Sequence, residues 1–242
     1  MDDHIKDCIH RADTRWQREC TDFLRPEEIG EVVREIEVRG IPYLVWGGYE
    51  HAERARILMD RSLSLDVTEV PLAVLRYRGH AKYLQGNHRD WLGALMSFGF
   101  KREKLGDILI REDGADVVVA KELLSYLEHM PLRIRGVPVR LESIEQENWI
   151  PPEAQTESFF ISVETPRLDA VLARALHLDR KKATRLIEEG LVQINHRLID
   201  KPSKPVQEED LLSIRGFGRL RIGQDMGMSK KGKRRILVTR YL

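Results

Sequence analysis

The sequence is poor in sulfur. Its only cysteines are Cys8 and Cys20, too few for a disulfide framework and without the paired spacing of a zinc site. Two isolated thiols suit a reducing compartment. No window approaches 18 uninterrupted apolar residues, so no membrane-spanning helix is expected. The opening residues, MDDHIKDCIHRADTRW, are charged throughout and lack an apolar core segment, so they do not read as a signal peptide. The expected location is the cytoplasm. Eight histidines are present, but none shows convincing ligand spacing. His80 and His88, near Asp90, read as surface or core residues. No metal and no cofactor are expected. Apolar residues, at 42%, are plentiful enough to build real cores.

One stretch lacks cations altogether. Between Leu141 and Pro166 there is no Lys or Arg, but there are six glutamates. Its centre, NWIPPEAQTES, holds Pro151 and Pro152 and has no apolar periodicity. Tandem prolines stop helices and favour extended chain. Residues 148–160 therefore read as a linker, and the charge changes across it. From Thr165 to Leu242 there are 18 Lys+Arg against 9 Asp+Glu, a net +9, while the remainder carries −8. Such asymmetry inside a chain of net charge +1 points to a polyanion-binding module joined to an acidic body.

The acidic body reads as two regions. Residues 1–68 form a small α/β region. Ile5, Cys8, Ile9 and Trp16 suggest a first helix, and Pro26–Val38 a second, with proline in the first turn. IPYLVWGG reads as a strand, Gly47-Gly48 as a tight turn, and YEHAERARILMD as a helix. Residues 69–147 read as a βαββαβ middle domain of ferredoxin or RRM type. VPLAVLRY is its first strand. NHRDWLGALMSFG is a helix ending at Gly99, with Trp91, Leu95 and Met96 facing the core. GDILI and ADVVVA are strands either side of Asp113-Gly114. KELLSYLEHM is a helix stopped by Pro131, and LRIRGVPVRLESI a strand bent at Gly136. GDILI and ADVVVA carry no aromatics for base stacking.

Residues 161–242 hold the concentrated charge. RLDAVLARALHL places Leu168, Val171, Leu172 and Ala175 on one helical face, and Asp179 is a plausible N-cap for the next helix. There Ala183, Leu186 and Ile187 form the buried stripe. At about 100° per residue, Lys181 and Arg185 project opposite that stripe, with Lys182 to one side. Gly190 ends the helix. LVQIN should turn Val192 and Ile194 inward and Gln193 and Asn195 outward, and Asn195-His196 reads as a turn. DLLSIRG, GRLRI and RRILVTRYL read as strands. Between the last two lies GQDMGMSKKGKRR, a glycine-rich loop with five cations among the six residues from Lys230 to Arg235.

The spaced elements Arg167-Leu168-Asp169, Arg180 to Ala183, Ile187 to Asn195, Pro202 to Val206, and Asp210 resemble an S4 RNA-binding domain. His196 stands where that family usually has glycine. FLRPEE, GGYEHAERARILM and HRDWLGALMSFGFKREKLGDILI extend the resemblance, in order, to the YlmH family of bacterial S4-domain proteins. The resemblance implies an α+β, multi-domain chain ending in a C-terminal S4 (αL-type) RNA-binding domain. It implies structured RNA as partner, ribosomal RNA of the large subunit with or without tRNA, in ribosome quality control or rescue of stalled translation. The expected RNA contacts are Arg167, Arg180, Lys181, Lys182, Arg185, Gln193, Asn195, His196, Arg197, Lys230, Lys231, Lys233, Arg234 and Arg235. Asp169 reads as structural, helping to fix the first helix turn or pairing with a local arginine. Cations on a solvent-facing helix neutralise phosphates and release counterions, and arginine adds a planar fork.

Enzyme readings lack their parts. MGMSKKGK is similar to the Lys-Met-Ser-Lys-Ser loop of class I aminoacyl-tRNA synthetases, but without its first lysine or a His-Ile-Gly-His partner. The pseudouridine synthase context Gly-Arg-Leu-Asp-x-x-Thr-x-Gly is not met, and LVWGGYE is a poor cofactor turn for a methyltransferase. No catalysis is expected. The acidic N-terminal two thirds would position the RNA-binding module or contact protein partners. The rival class is an interaction protein, for example in cell division, with secondary RNA binding.

Overall fold

Helical spacing of apolar residues opens the chain. Helix α1 (Asp3–Thr14) buries Ile5, Cys8, Ile9 and Ala12. Trp16, read as part of that face, lies beyond the helix end at φ 53° and is 70% exposed. The computed structural model describes residues 1–242 except 51, 62–64, 85, 143, 145–148, 154–155, 229–231 and 242. The chain divides into two units. The first comprises Met1–Arg25 and Ile36–Glu153, the second Pro26–Glu35 and Ala154–Leu242. Apart from Pro26–Glu35, the N-terminal region and the middle domain thus belong to one unit.

In that unit a small sheet joins β1 (Glu19–Cys20), β2 (Tyr43–Trp46) and β3 (Arg56–Met59) in the order β1-β3-β2. Between β1 and β2 the chain runs through α2 (Pro26–Val38). The helix expected over YEHAERARILMD is absent, and its RILM segment is strand β3, with all four residues buried. A continuous apolar run suits a strand buried on both sides. Arg54 and Arg56 are buried with carbonyl partners. Arg54 Nη2 donates to the Phe23 carbonyl at 2.7 Å, and Arg56 Nε to that of Thr21 at 2.7 Å. A Cβ at Gly47 would lie 2.3 Å from the Arg54 carbonyl oxygen, so the glycine permits a close backbone approach.

The middle domain follows: β4 (Leu72–Arg78), α3 (His88–Met96), β5 (Leu105–Arg111), β6 (Gly114–Ala120), α4 (Leu124–Leu127), β7 (Leu132–Ile134) and β8 (Val137–Glu142). Its antiparallel sheet has the order β5-β6-β4-β8-β7. A reciprocal capping box between Asn87 and Asp90 starts α3. The helix expected over KELLSYLEHM shrinks to a 3-10 turn at Lys121–Leu123 and the single turn of α4. The one bent strand expected over LRIRGVPVRLESI is the β7–β8 hairpin. It turns on Arg135 and Gly136, both at positive φ, the backbone of a tight two-residue turn. Period-two alternation puts Ala73, Leu75, Tyr77, Val117 and Val119 against Trp91, Leu95 and Leu127. Leu72, Val74, Val118 and Ala120 pack on the other face with Phe23, Leu58 and Trp149. The central strands β4 and β6 are thus covered on both faces.

The second unit is a six-stranded antiparallel sheet backed by two helices. Its elements are β9 (Thr156–Val163), α5 (Leu168–Ala175), α6 (Arg180–Glu188), β10 (Val192–Ile194), β11 (Arg197–Leu198), β12 (Leu211–Ile214), β13 (Gly218–Met228) and β14 (Arg234–Tyr241). The sheet order is β11-β10-β12-β13-β14-β9. Leu168, Val171, Leu172, Ala183 and Ile187 of the helices meet Ile161, Val192, Ile194, Leu212, Leu220, Ile236 and Val238 in one core. Residues read as linker are already structured at both ends. Trp149 is buried in the first unit, and β9 begins at Thr156. GQDMGM, read as loop, continues strand β13, so that Arg234 and Arg235 stand on β14.

Candidate nucleic-acid interface

The cationic surface rests on how α5 and α6 begin and end. Helix α5 has no side-chain N-cap. Its first amides are satisfied by the proline-containing turn: Leu168 N–H donates to the Lys204 carbonyl at 2.8 Å and Asp169 N–H to that of Pro202 at 3.0 Å. A helix end needs such partners because its first four N–H groups have none within the helix. Helix α6 starts on Asp179, whose side chain accepts from Lys182 N–H at 2.8 Å. It ends in a Schellman motif: Gly190 at φ +69°, with Gly190 N–H on the Ile187 carbonyl and Leu191 N–H on that of Leu186.

Asp169 ties the two helices together. Its carboxylate is 3% exposed. It accepts from Arg167 Nε (3.1 Å) and Nη2 (3.0 Å), from Arg180 Nε (3.1 Å) and from Ala170 N–H (2.9 Å). Burial alone would raise this carboxyl's pKa, but the hydrogen bonds from Arg167 and Arg180 outweigh it and hold the group below its ordinary value. The two arginine side chains remain 40% and 60% exposed. They are oriented by the buried carboxylate and still present charge to solvent. The structural role expected for Asp169 is what the geometry shows.

Lys181, Lys182 and Arg185 are exposed on α6, opposite buried Ala183 and Ile187. None of the three has an ion pair among the described residues, and the Arg185–Glu189 contact that the spacing allows is not made. The strand side is different. Gln193, expected to face outward, is 4% exposed, and its Nε2 donates to the Pro26 carbonyl at 2.7 Å within the second unit. Asn195 is exposed but engaged on both sides of its amide. Nδ2 donates to Asp210 Oδ1 at 2.8 Å, and Oδ1 accepts from Leu211 N–H at 2.9 Å. It stitches the β10–β11 turn to β12. Asn195 and His196 both have positive φ, 50° and 66°, which defines this turn and explains why glycine would fit at His196.

Arg197 is exposed on β11, and Lys233 is half-buried. Arg234 pairs with Asp225 at 3.2 Å. The Arg235 guanidinium lies 4.0 Å from the centroid of the Phe160 ring. Lys230 and Lys231 fall outside the described residues. Residues missed in the sequence are Phe160, Arg219 and Tyr241. The Arg219 guanidinium lies 5.1 Å from the Tyr241 ring. The alternation in TESFFISV and RRILVTRY, followed at period two, would have placed Phe160, Arg235 and Tyr241 on one face.

Comparison with known proteins matches three segments of the chain. Residues 3–63 match the model "YlmH, N-terminal", residues 67–148 "Putative RNA-binding domain in YlmH", and residues 166–212 "S4 domain". The "Ribosome-associated protein quality control protein P2" of Bacillus subtilis (strain 168) is 33% identical over 230 residues, covering 93% of this chain and 88% of that protein. The structure of "Cell division protein ylmH from Streptococcus pneumoniae" superposes with a TM-score of 0.53 at 19% identity, over 61% of this chain and 91% of that one. The latter likeness is one of fold.

Proposed function

The chain belongs to the YlmH family of S4-domain proteins, and from that premise we propose that it docks its second unit on structured RNA without catalysing a reaction. The RNA is ribosomal RNA of the large subunit, with or without tRNA, and the setting is ribosome-associated quality control in the cytoplasm. The observation that carries this reading is the outer face of α6. Lys181, Lys182 and Arg185 stand exposed without ion pairs among the described residues, beside Arg167 and Arg180 held by Asp169. Cations that no acid neutralises are available to displace phosphate counterions. A rigid helix bearing them reads the shape and backbone of folded RNA rather than its sequence. The printed name of the Bacillus relative supports the ribosomal setting. The acidic remainder of the chain would contact protein partners. A cell-division role has only the name of a protein alike in fold behind it.

Sedimentation with large ribosomal subunits at low salt tests this. The protein should co-migrate with the subunit, and the K181A/K182A/R185A variant should stay at the top of the gradient. Identical behaviour of the two would remove the α6 face from the mechanism. Nucleoside mass spectrometry of RNA incubated with the protein should show no new modified base; finding one would overturn the non-catalytic reading.

A further inference from the structure

The sheet of the second unit has a face turned away from α5 and α6, and on β9, β13 and β14 that face is neither acidic nor greasy. Alternation sends Ile161, Val163, Leu220, Ile222, Ile236 and Val238 into the core. The alternate positions carry Phe160, Arg219, Arg221, Arg235 and Tyr241, with the half-buried Leu237 and the Ser158 and Thr239 hydroxyls between them. Register fixes their neighbours. Arg221 lies opposite Thr239, and Thr239 opposite Ser158; the two hydroxyls are 2.9 Å apart. Leu237 lies opposite Phe160. The face thus carries a hydroxyl pair flanked by two arginine–aromatic stacks. One is Arg235 on Phe160 at 4.0 Å, the other Arg219 on Tyr241 at 5.1 Å. Phe160 is 46% exposed, and Arg235 has no acidic partner among the described residues. Glu209 pairs with Arg221.

We infer that this face is a second RNA site, which stacks unpaired bases. It rests on the RNA reading proposed above but uses the opposite side of the sheet. Every base has a π-face, and aromatic rings and guanidinium planes both stack on it. Each arginine–aromatic pair offers such a plane together with a charge for the adjoining phosphate. Tyr241 lies four steps along β14 from Leu237, which is opposite Phe160. At about 3.3 Å per residue the two stacks lie roughly 13 Å apart, a span suited to two or three bases, as on an RNA-recognition sheet. The middle domain has a similar order of elements, yet its central strands β4 and β6 are covered on both faces. Phe160, by contrast, is an exposed ring on an open sheet face of the second unit. A protein partner would favour a contiguous apolar patch, and here cations and hydroxyls interrupt the rings.

The test uses the full chain and a fluorescent seven-nucleotide, unstructured, adenosine-rich RNA, with affinity read by anisotropy. Phe160→Leu keeps an apolar side chain but removes the ring, and should weaken binding about 5- to 100-fold. Phe160→Trp should restore it. Unchanged affinity in Phe160→Leu, or no binding by the unsubstituted chain at low salt, overturns the inference. Ultraviolet crosslinking of the unsubstituted protein gives a measurement independent of any variant. Adducts within 156–163 or 234–241 support the site, and adducts confined to other segments overturn it. The K181A/K182A/R185A variant separates the two readings, because it should lose subunit co-migration and keep the short RNA. If co-migration ignores that variant while Phe160→Leu still weakens the oligonucleotide, the α6 reading fails alone. If co-migration responds and the oligonucleotide is indifferent to Phe160, this inference fails alone.

Discussion

Asp169 is buried and charged, and it holds Arg167 and Arg180 together at the start of α5 and α6. Because its folded pKa lies below the ordinary value, the native state binds this proton more weakly than the unfolded chain. Its contribution is therefore complete above an unfolded pKa of about 3.9 and drains away as pH falls through the lowered folded value. Asp169→Asn should cost about 1–3 kcal/mol at pH 7, discounted because both guanidinium groups remain partly wet. It should also flatten the acid limb of stability below about pH 4. Denaturant titrations at pH 7 and pH 3 check both; equal losses at the two values would show that the ionised carboxylate is not what matters. His196 offers an opposite sign. A left-handed residue with a Cβ costs about 1–2 kcal/mol, and glycine returns some tenths through unfolded-state entropy. His196→Gly should raise stability by about 0.5–1 kcal/mol, read as a higher denaturation midpoint. Single residues were legible where one local rule governed them. The α6 cations, the Asp179 cap and the Gly190 stop all follow from helix geometry. Gln193 was misread because alternation identifies two faces but not what covers each, and the Pro26 carbonyl that covers it lies 167 residues away in sequence.

Among the elements, β3 and α4 departed furthest from expectation. RILM satisfies a short buried strand as well as a helix, and nothing local arbitrates. The pairing with Glu19–Cys20 and Tyr43–Trp46 decides. The strand segments of the middle sheet were legible except the last, which is the β7–β8 hairpin instead of one bent strand. The sheet's second covered face was not, since that cover comes from Phe23, Leu58 and Trp149, scattered through the chain. The polar heart of that face is Asp116, whose side chain is fully buried. It accepts from Arg76 Nε at 2.7 Å, Arg111 Nε at 2.8 Å and Trp149 Nε1 at 2.7 Å. Burial pushes its pKa up, and these bonds pull it below the ordinary value. One carboxylate thus pins β4, β5 and the segment leaving the middle domain. Asp116→Ala leaves two guanidinium groups facing a void and should cost about 3–5 kcal/mol. The loss should appear in denaturant unfolding of the full chain, with Trp149 fluorescence reporting the same midpoint. A loss under 1 kcal/mol would mean that the arginines find water or other acceptors.

At the scale of the whole molecule, a net charge of +1 averages a +9 C-terminal third against −8 elsewhere. The average predicts indifference to nucleic acid, and the distribution predicts salt-sensitive binding. Five cations gather at the helix pair: Arg167, Arg180, Lys181, Lys182 and Arg185. If each meets one phosphate, log affinity should fall against log salt with a slope of about −3.5 to −4.5, that is 0.7 to 0.9 per contact. The K181A/K182A/R185A variant leaves Arg167 and Arg180, so its slope should shrink to about −1.4 to −1.8. Phe160→Leu removes no charge and should lower affinity for the short RNA while leaving its slope unchanged. A triple variant that binds more weakly with an undiminished slope would show that those side chains act by packing or folding rather than by meeting phosphate. Measured as paired salt titrations, the two variants separate the electrostatic contribution proposed for α6 from the stacking contribution inferred for the open sheet face.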